Sequence, residues 1–377
     1  MKIILLINSL YTGGAEFSTL TFYSWVKSST NNEVKIVCLK KADPEYDFRE
    51  FGFESITYLN EDSFLSQLKS FNLIVEEFKP DIVHSVLFDS NLVARVSRMF
   101  KKKFKHIESL VSQTYSPYRL KDPNVSRLKL ELYRCLDFTT QIFGVDHFHS
   151  NGTTVAKHYQ KKLFIDCIRI TNIPRGRYPN SFLGDRHNFN LIKEKLNVKN
   201  KIVLINVGRH EYTKAQTILL EALKNLDEDF ILLIVGREGY STQEIKEKIE
   251  LYNLNGKVKL LGHRNDVPKL LAASDVFVFP SRYEGLSGAL IEAEAAGLPI
   301  ICSNIPNNLE VVEENKNALV FPVDDIKTLS QQLKQLITDR NQREKMGERS
   351  LEIYRNKFDI EKVHEKMLTM IEDLLNK

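Results

Sequence analysis

Short apolar runs recur along the chain, each followed by a polar turn and then by apolar residues at three-to-four spacing. The runs at 2–8, 33–39, 82–86, 106–111, 202–207, 231–235, 258–261 and 276–279 have the length and near-continuous hydrophobicity of strands buried on both faces of a parallel sheet. Weaker runs at 55–59, 138–145, 147–150, 166–173, 299–302 and 318–321 extend the strand pattern. Amphipathic stretches at 63–78, 92–100, 215–223, 242–252 and 324–336 read as connecting helices, as do the stretch after the first glycine pair to about Lys27 and 267–273, 289–296, 307–314, 343–358 and 359–376. Alternation of this kind in both halves predicts an α/β protein of two doubly wound, Rossmann-like domains facing a central cleft. Residues 174–190 interrupt it with two prolines and two glycines, so the expected division is 1–180 against 181–358, with a separate last helix at 359–377.

A chain of 377 residues is too long for one core, and 42% hydrophobic with 27% charged residues is ordinary for a soluble globular protein. The start, MKIILLINSLY, reads as a first strand and not a signal peptide, and no later run nears the roughly 18 apolar residues of a membrane span. Cys38, Cys135, Cys167 and Cys302 lie far apart without a C-x-x-C, which predicts buried thiols in a reducing, cytoplasmic compartment. The net charge of +4 is uneven: residues 1–190 hold 26 Lys/Arg against 20 Asp/Glu, and the remainder 27 against 29. A peripheral contact of the first half with an anionic membrane, at its inner face, is compatible with that balance and with the basic run at 101–105. Nucleic acid would call for a stronger basic stripe with interleaved aromatics.

The chemistry concentrates at residues 275–306, DVFVFPSRYEGLSGALIEAEAAGLPIICSNIP, which read strand, loop, helix, strand. Glu284 lies in the loop and Glu292 two turns into the helix. The helix start at Ser287 and Gly288 offers unpaired amides that suit an anion. Acids beside an anion site make sense for a ligand carrying both phosphate and hydroxyls, as a sugar nucleotide does. Gly208-Arg209 ends an earlier strand with Lys214 close behind, so two cations stand where a diphosphate can be held. Near the start, Gly13 and Gly14 follow the first strand and let the backbone approach a ligand. The third glycine of a dinucleotide fingerprint is missing, which counts against a nicotinamide enzyme.

Glu284-Gly285-Leu286, Glu292-Ala293 and Ala296-Gly297-Leu298-Pro299 resemble the E-x7-E signature of retaining GT-B glycosyltransferases of family 4, the glycosyl transferases group 1 type. GRHEYTKAQ resembles that family's G-R-x-x-x-x-K-G block with Ala215 in place of glycine, and T-G-G-A-E resembles its first loop. The resemblance implies the GT-B fold, with the last helix crossing back onto an acceptor-binding first domain and a second domain binding the nucleotide sugar. It implies that Arg209 and Lys214 hold the diphosphate, Glu284 the sugar hydroxyls and Glu292 the ribose. Gly285, Leu286, Ser287, Gly288 and Ala289 would then line the sugar and phosphate, Gly208 and Gly236 their strand ends, and His263 or Arg264 the base. The implied reaction moves a hexose or N-acetylhexosamine, from a UDP-sugar in preference to a GDP-sugar, to a saccharide or lipid-linked acceptor in surface polysaccharide or glycoconjugate synthesis. No cofactor or metal is implied. His84, near a strand end, is either a hydrogen-bonded core residue or a catalytic group facing the cleft. The histidine that many relatives carry on the next strand is absent, and Glu108 is the nearest titratable group there. That departure keeps a second expectation open, a nucleotide-sugar-binding protein of the same fold without activity.

Overall fold

The computed structural model describes residues 1–10, 13–41, 51–101, 103–122, 125–198 and 201–376. Thr12 of the first glycine loop and Lys102 of the basic run lie outside them. The chain divides into two compact units, residues 1–176 with 360–377, and residues 177–359.

The first unit is built on a seven-stranded sheet. Its strands are β1 (Lys2–Ile7), β2 (Glu33–Cys38), β3 (Thr57–Tyr58), β4 (Ile82–Val86), β5 (Lys105–Leu110), β6 (His147–Ser150) and β7 (Ile170–Asn172), in the spatial order β3-β2-β1-β4-β5-β6-β7 with every pair parallel. Helices α1 (Gly14–Ser29), α2 (Phe64–Phe78), α3 (Phe88–Lys101), α4 (Arg127–Gly144) and α5 (Thr153–Leu163) make the crossovers. The central strand β1 shows why a continuous apolar run is needed. Ile3, Leu5 and Ile7 pack on one face beneath α1, while Ile4 and Leu6 pack on the other beneath α2 and α3. Each such buried side chain contributes about 1.5–3 kcal/mol.

The second unit carries a six-stranded parallel sheet. Its elements run α6 (Arg186–Lys195), β8 (Ile202–Val207), α7 (Gln216–Leu223), β9 (Phe230–Val235), α8 (Thr242–Leu251), β10 (Val258–Gly262), α9 (Val267–Ala272), β11 (Val276–Phe279), α10 (Gly288–Ala295), β12 (Ile300–Ser303), α11 (Pro306–Leu309), β13 (Ala318–Phe321), α12 (Ile326–Thr338) and α13 (Arg340–Ile353). Strand order is β10-β9-β8-β11-β12-β13. The order reverses between β8 and β11, so the loops leaving those two strands splay apart at their carboxyl ends and open a crevice for a ligand. After a π-turn at Tyr354–Phe358 the chain enters α14 (Ile360–Leu375), whose Val363, Met367 and Ile371 pack with α1 and β1 in the first unit.

Three expectations are corrected. Residues 138–145 were expected to be strand, but α4 runs on to Gly144 because Leu130, Asp137, Gln141 and Gly144 bury one face at helical spacing. Cys135 and Cys167 are exposed, and only Cys38 and Cys302 are buried thiols. Residues 307–314 hold just the short α11, which ends at Leu309.

Candidate active site

Four loops at the carboxyl ends of the second unit's strands are knit together, beginning with β8 and β9. Gly236 comes so close to Gly208 that a Cβ at 236 would stand 2.1 Å from the Gly208 carbonyl oxygen. The His210 amide donates to Arg237 O at 3.0 Å, and the Gly236 amide to Gly262 O at 2.9 Å, which ties in β10. The loop after β11 joins from the other side. Arg282 donates through its amide to Thr213 O at 2.8 Å and through Nη1 to Tyr212 O at 2.6 Å.

Lys214 therefore ends a 3-10 turn, Tyr212–Lys214, with its stem lying across Gly208, where a Cβ would stand 3.1 Å from Cδ. Its Nζ donates to Glu284 Oε1 at 2.6 Å and stands 5.0 Å from the centre of the Phe279 ring. Ala215, next in line, sits at φ 50 in the left-handed region that glycine takes without strain. Arg209 is exposed, with Nη1 3.1 Å from Glu211 Oε1.

Ser287 caps α10, its hydroxyl accepting from the Leu290 amide at 3.5 Å. Arg177 lies over that helix start. A Cβ on Gly288 would fall 1.9 Å from Arg177 Nη2, and Arg177 Nε donates to Glu292 Oε1 at 2.7 Å. The guanidinium thus lies against both the amide-bearing tip of α10 and the second acid of the pair. His263 and Arg264 line a hollow of ≈ 520 Å³ with Phe182, Asn265 and Lys269, and Arg264 grips Asp266 through Nε and Nη2 at 2.8 and 2.7 Å.

In the first unit Gly13 caps α1 and Gly14 begins it, with Arg175 Nη1 2.9 Å from where a Gly14 Cβ would be. His84 is 1% exposed and bonds Tyr23 Oη through Nδ1 and Ser109 Oγ through Nε2, both at 2.7 Å. Ser109 Oγ continues to His149 Nδ1 at 3.0 Å, and His149 Nε2 reaches Ile173 O at 2.9 Å. The carbonyl only accepts, so the direction of the whole chain is set. His149 donates from Nε2, Ser109 donates to His149, His84 donates to Ser109 and Tyr23 donates to His84. Every imidazole in it is neutral. Burial lowers His84 to about 3 and His149 to about 4. Glu108 is buried too, its two oxygens 2.7 Å from Arg95 Nε and Nη2, while Arg95 Nη1 donates to Asp137 at 2.7 Å and Tyr115 Oη donates to the same carboxylate.

The family of glycosyl transferases group 1 matches residues 188–352. A UDP-Gal:alpha-D-GlcNAc-diphosphoundecaprenol alpha-1,3-galactosyltransferase of Escherichia coli is 27% identical over 324 residues, 82% of this chain and 81% of that one. The capsular polysaccharide biosynthesis glycosyltransferase CapH of Staphylococcus aureus is 27% identical over 353 residues, covering 90% and 91%. The crystal structure of Anabaena HepE in complex with UDP-glucose superposes with a TM-score of 0.86 at 18% identity, over 99% of this chain and 100% of that chain. The group 1 match lies within the second unit, and the chain is a glycosyltransferase with the GT-B fold.

In this transferase Gly208, Arg209, Lys214, Gly236, Glu284 and the start of α10 gather at the carboxyl ends of β8, β9 and β11, with Glu292 joined to them through Arg177. Of the two readings of His84 the hydrogen-bonded one is seen: Tyr23 and Ser109 occupy both ring nitrogens, and the ring borders a small hollow with Ser109, His149 and Arg175. Glu108 is half of a buried ion pair and cannot replace a missing histidine. Sequence reasoning missed Arg177, which sits in a stretch that reads as linker, and His149, which reads as an ordinary strand position. Among the described residues no cluster of His, Cys, Asp and Glu could hold a metal, and no helix is long and apolar enough to cross a membrane.

Proposed function

We propose that this transferase moves a hexose or an N-acetylhexosamine from a nucleoside diphosphate sugar to a saccharide or lipid-linked saccharide, with retention of anomeric configuration, in the synthesis of a surface polysaccharide or glycoconjugate. The observation that carries the proposal is the contact between Lys214 and Glu284. A cation that can hold a diphosphate touches an acid that can hold hydroxyls, and a sugar nucleotide presents both groups. Arriving diphosphate shares Lys214 and Arg209, which frees Glu284 for the sugar. Arg177 and the α10 amides face the phosphates, Glu292 takes the ribose, and His263 and Arg264 border the base.

In the reaction the acceptor oxygen bonds the anomeric carbon, the bond from that carbon to the diphosphate oxygen breaks, and the hydroxyl proton passes to the departing phosphate. Stabilising the charge that builds on that leaving group is the main catalytic contribution of Arg209 and Lys214. Uridine as the base and a lipid diphosphate acceptor are supported by the galactosyltransferase relative, whose name carries both. No metal enters the scheme.

Lys214→Ala and Glu284→Gln should each lower turnover by about a hundredfold or more with the fold retained. UDP should raise the melting temperature of the parent by mass action. Near-parental turnover in both variants, with no melting shift from UDP, GDP or ADP, would remove the assignment.

A further inference from the structure

Helix α4 buries one face and turns an apolar stripe outward on the opposite one. Leu130, Asp137, Gln141 and Gly144 line the buried one. Half a turn round, Leu128, Leu132, Cys135, Thr139 and Ile142 repeat the same three-to-four spacing toward solvent. Leu128 is 82% exposed, Leu132 58% and Phe143, at the end of this stripe, 72%. The patch continues beyond the helix. The Phe138 ring meets that of Phe164 edge to face at 6.1 Å, and Phe164 and Ile168 are 77% and 80% exposed. Their segment is tied to α4 by Arg169 Nη2 donating to Val145 O at 2.6 Å. Apolar side chains scattered singly over a surface need no explanation, but a stripe running the length of an 18-residue helix and onto its neighbour does.

Cations frame the stripe. Arg127, Lys129 and Arg134 lie on α4, Lys121 just before it, and Lys161 and Lys162 in the last turn of α5. The acids among them are few: Glu131 pairs with Arg134 at 2.8 Å, and Asp166 caps the turn that carries Ile168. We propose that this face of α4 docks on an anionic lipid bilayer, with the leucines and phenylalanines in the acyl boundary and the lysines and arginines among the headgroup phosphates. Charge selects this occupant. A second copy of the chain, meeting the stripe about a twofold axis, would bring like cations together, whereas lipid phosphates complement them. The surface shares no residue with the donor site, so the inference stands apart from the proposed reaction.

The test is co-sedimentation of the full chain with vesicles of phosphatidylglycerol and phosphatidylcholine, against phosphatidylcholine alone. Binding should need the anionic lipid and weaken with added salt. Leu128→Glu combined with Leu132→Glu should reduce it about tenfold or more, as should Ile168→Glu, which lies off the helix and guards against a folding defect. The UDP-dependent melting shift should be untouched by either. No binding of the parent to anionic vesicles, or undiminished binding of both variants, overturns the proposal. So does a parent dimer that the leucine variant converts to monomer, because the stripe would then be a subunit interface.

Discussion

Acidification should unfold the first unit well before the second. His84, His106 and His364 are all nearly excluded from solvent, and burial is the leading cause that lowers them, to about 3, about 4 and about 4. The unfolded chain binds protons at these sites below about pH 6.5, while the folded chain does not until pH 4 or lower. Stability from neutral burial is therefore full above the unfolded value and falls as pH drops. Between about pH 7 and pH 5 each histidine withdraws about 2 kcal/mol, so these three alone withdraw about 6 kcal/mol, and His149 and His158, lowered to about 4, add to it. That is comparable with the whole stability of many domains. Asp146 works in the same direction: burial alone would raise it, but its bonds with Arg98 and the His106 amide hold it below the usual carboxylate range.

The chain's single tryptophan, Trp25, lies in α1 with its ring 5.4 Å from that of His364, so its emission reports on the first unit. The melting transition seen through Trp25 should fall by about 20 °C or more between pH 7 and pH 5. His364→Leu should make that fall shallower by about a fifth, because His149 and His158, also lowered to about 4, titrate alongside His84, His106 and His364. A Trp25 transition that holds within a degree or two across this range would refute the reasoning. It would mean that the buried imidazoles gain protons in the folded state about as easily as in the unfolded one.

Two further predictions concern stability. Ala215→Gly should raise the denaturation midpoint of the second unit, read by circular dichroism, by about 1 kcal/mol, since residue 215 lies in the left-handed region. Arg95→Met should destabilise the first unit by about 3–5 kcal/mol in a Trp25-monitored denaturant titration, because Glu108 and Asp137 would stay buried without their cation.

The order of strands and helices was legible because a parallel strand must be apolar on both faces, and Lys2–Ile7 and Phe230–Val235 announce that directly. The donor motifs were legible for a related reason. The residues between Gly208 and Lys214, and between Glu284 and Glu292, are neighbours in sequence as well as in space. What stayed hidden was of two kinds. The second half of α4 buries Asp137 and Gln141 while exposing Phe138, Ile142 and Phe143, so its polarity is the reverse of what a core helix shows and periodicity misreads it as strand. The roles of Glu108 and His84 depend on Arg95, Asp137, Tyr23 and Ser109, which come from α3, α4, α1 and β5. No local pattern distinguishes an acid that meets a buried guanidinium from one that faces a ligand.

Arg177 is the hidden residue with the most bearing on the proposed donor site, and its placement gives a test. Its amide donates to Phe358 O at 3.0 Å and its carbonyl accepts from Tyr354 Oη at 3.0 Å, so the backbone is fixed from both sides. The guanidinium then reaches over the first turn of α10, which only a residue without Cβ at 288 permits. A cation opposes the helix dipole there, and Glu292 offsets the cost. An arriving phosphate would be favoured by the guanidinium and the amides together. Gly288→Ala should displace the guanidinium, and Arg177→Ala removes it. Loss of one charge-assisted hydrogen bond is worth about 1.5–3 kcal/mol, so both variants should raise the KM for the donor about tenfold to a hundredfold. Turnover at saturating donor should change much less, because Arg209 and Lys214 remain to meet the leaving group. If both variants kept the parental KM, Arg177 would be a structural strut between α10 and the turn at Tyr354–Phe358, and the donor phosphates would lie elsewhere.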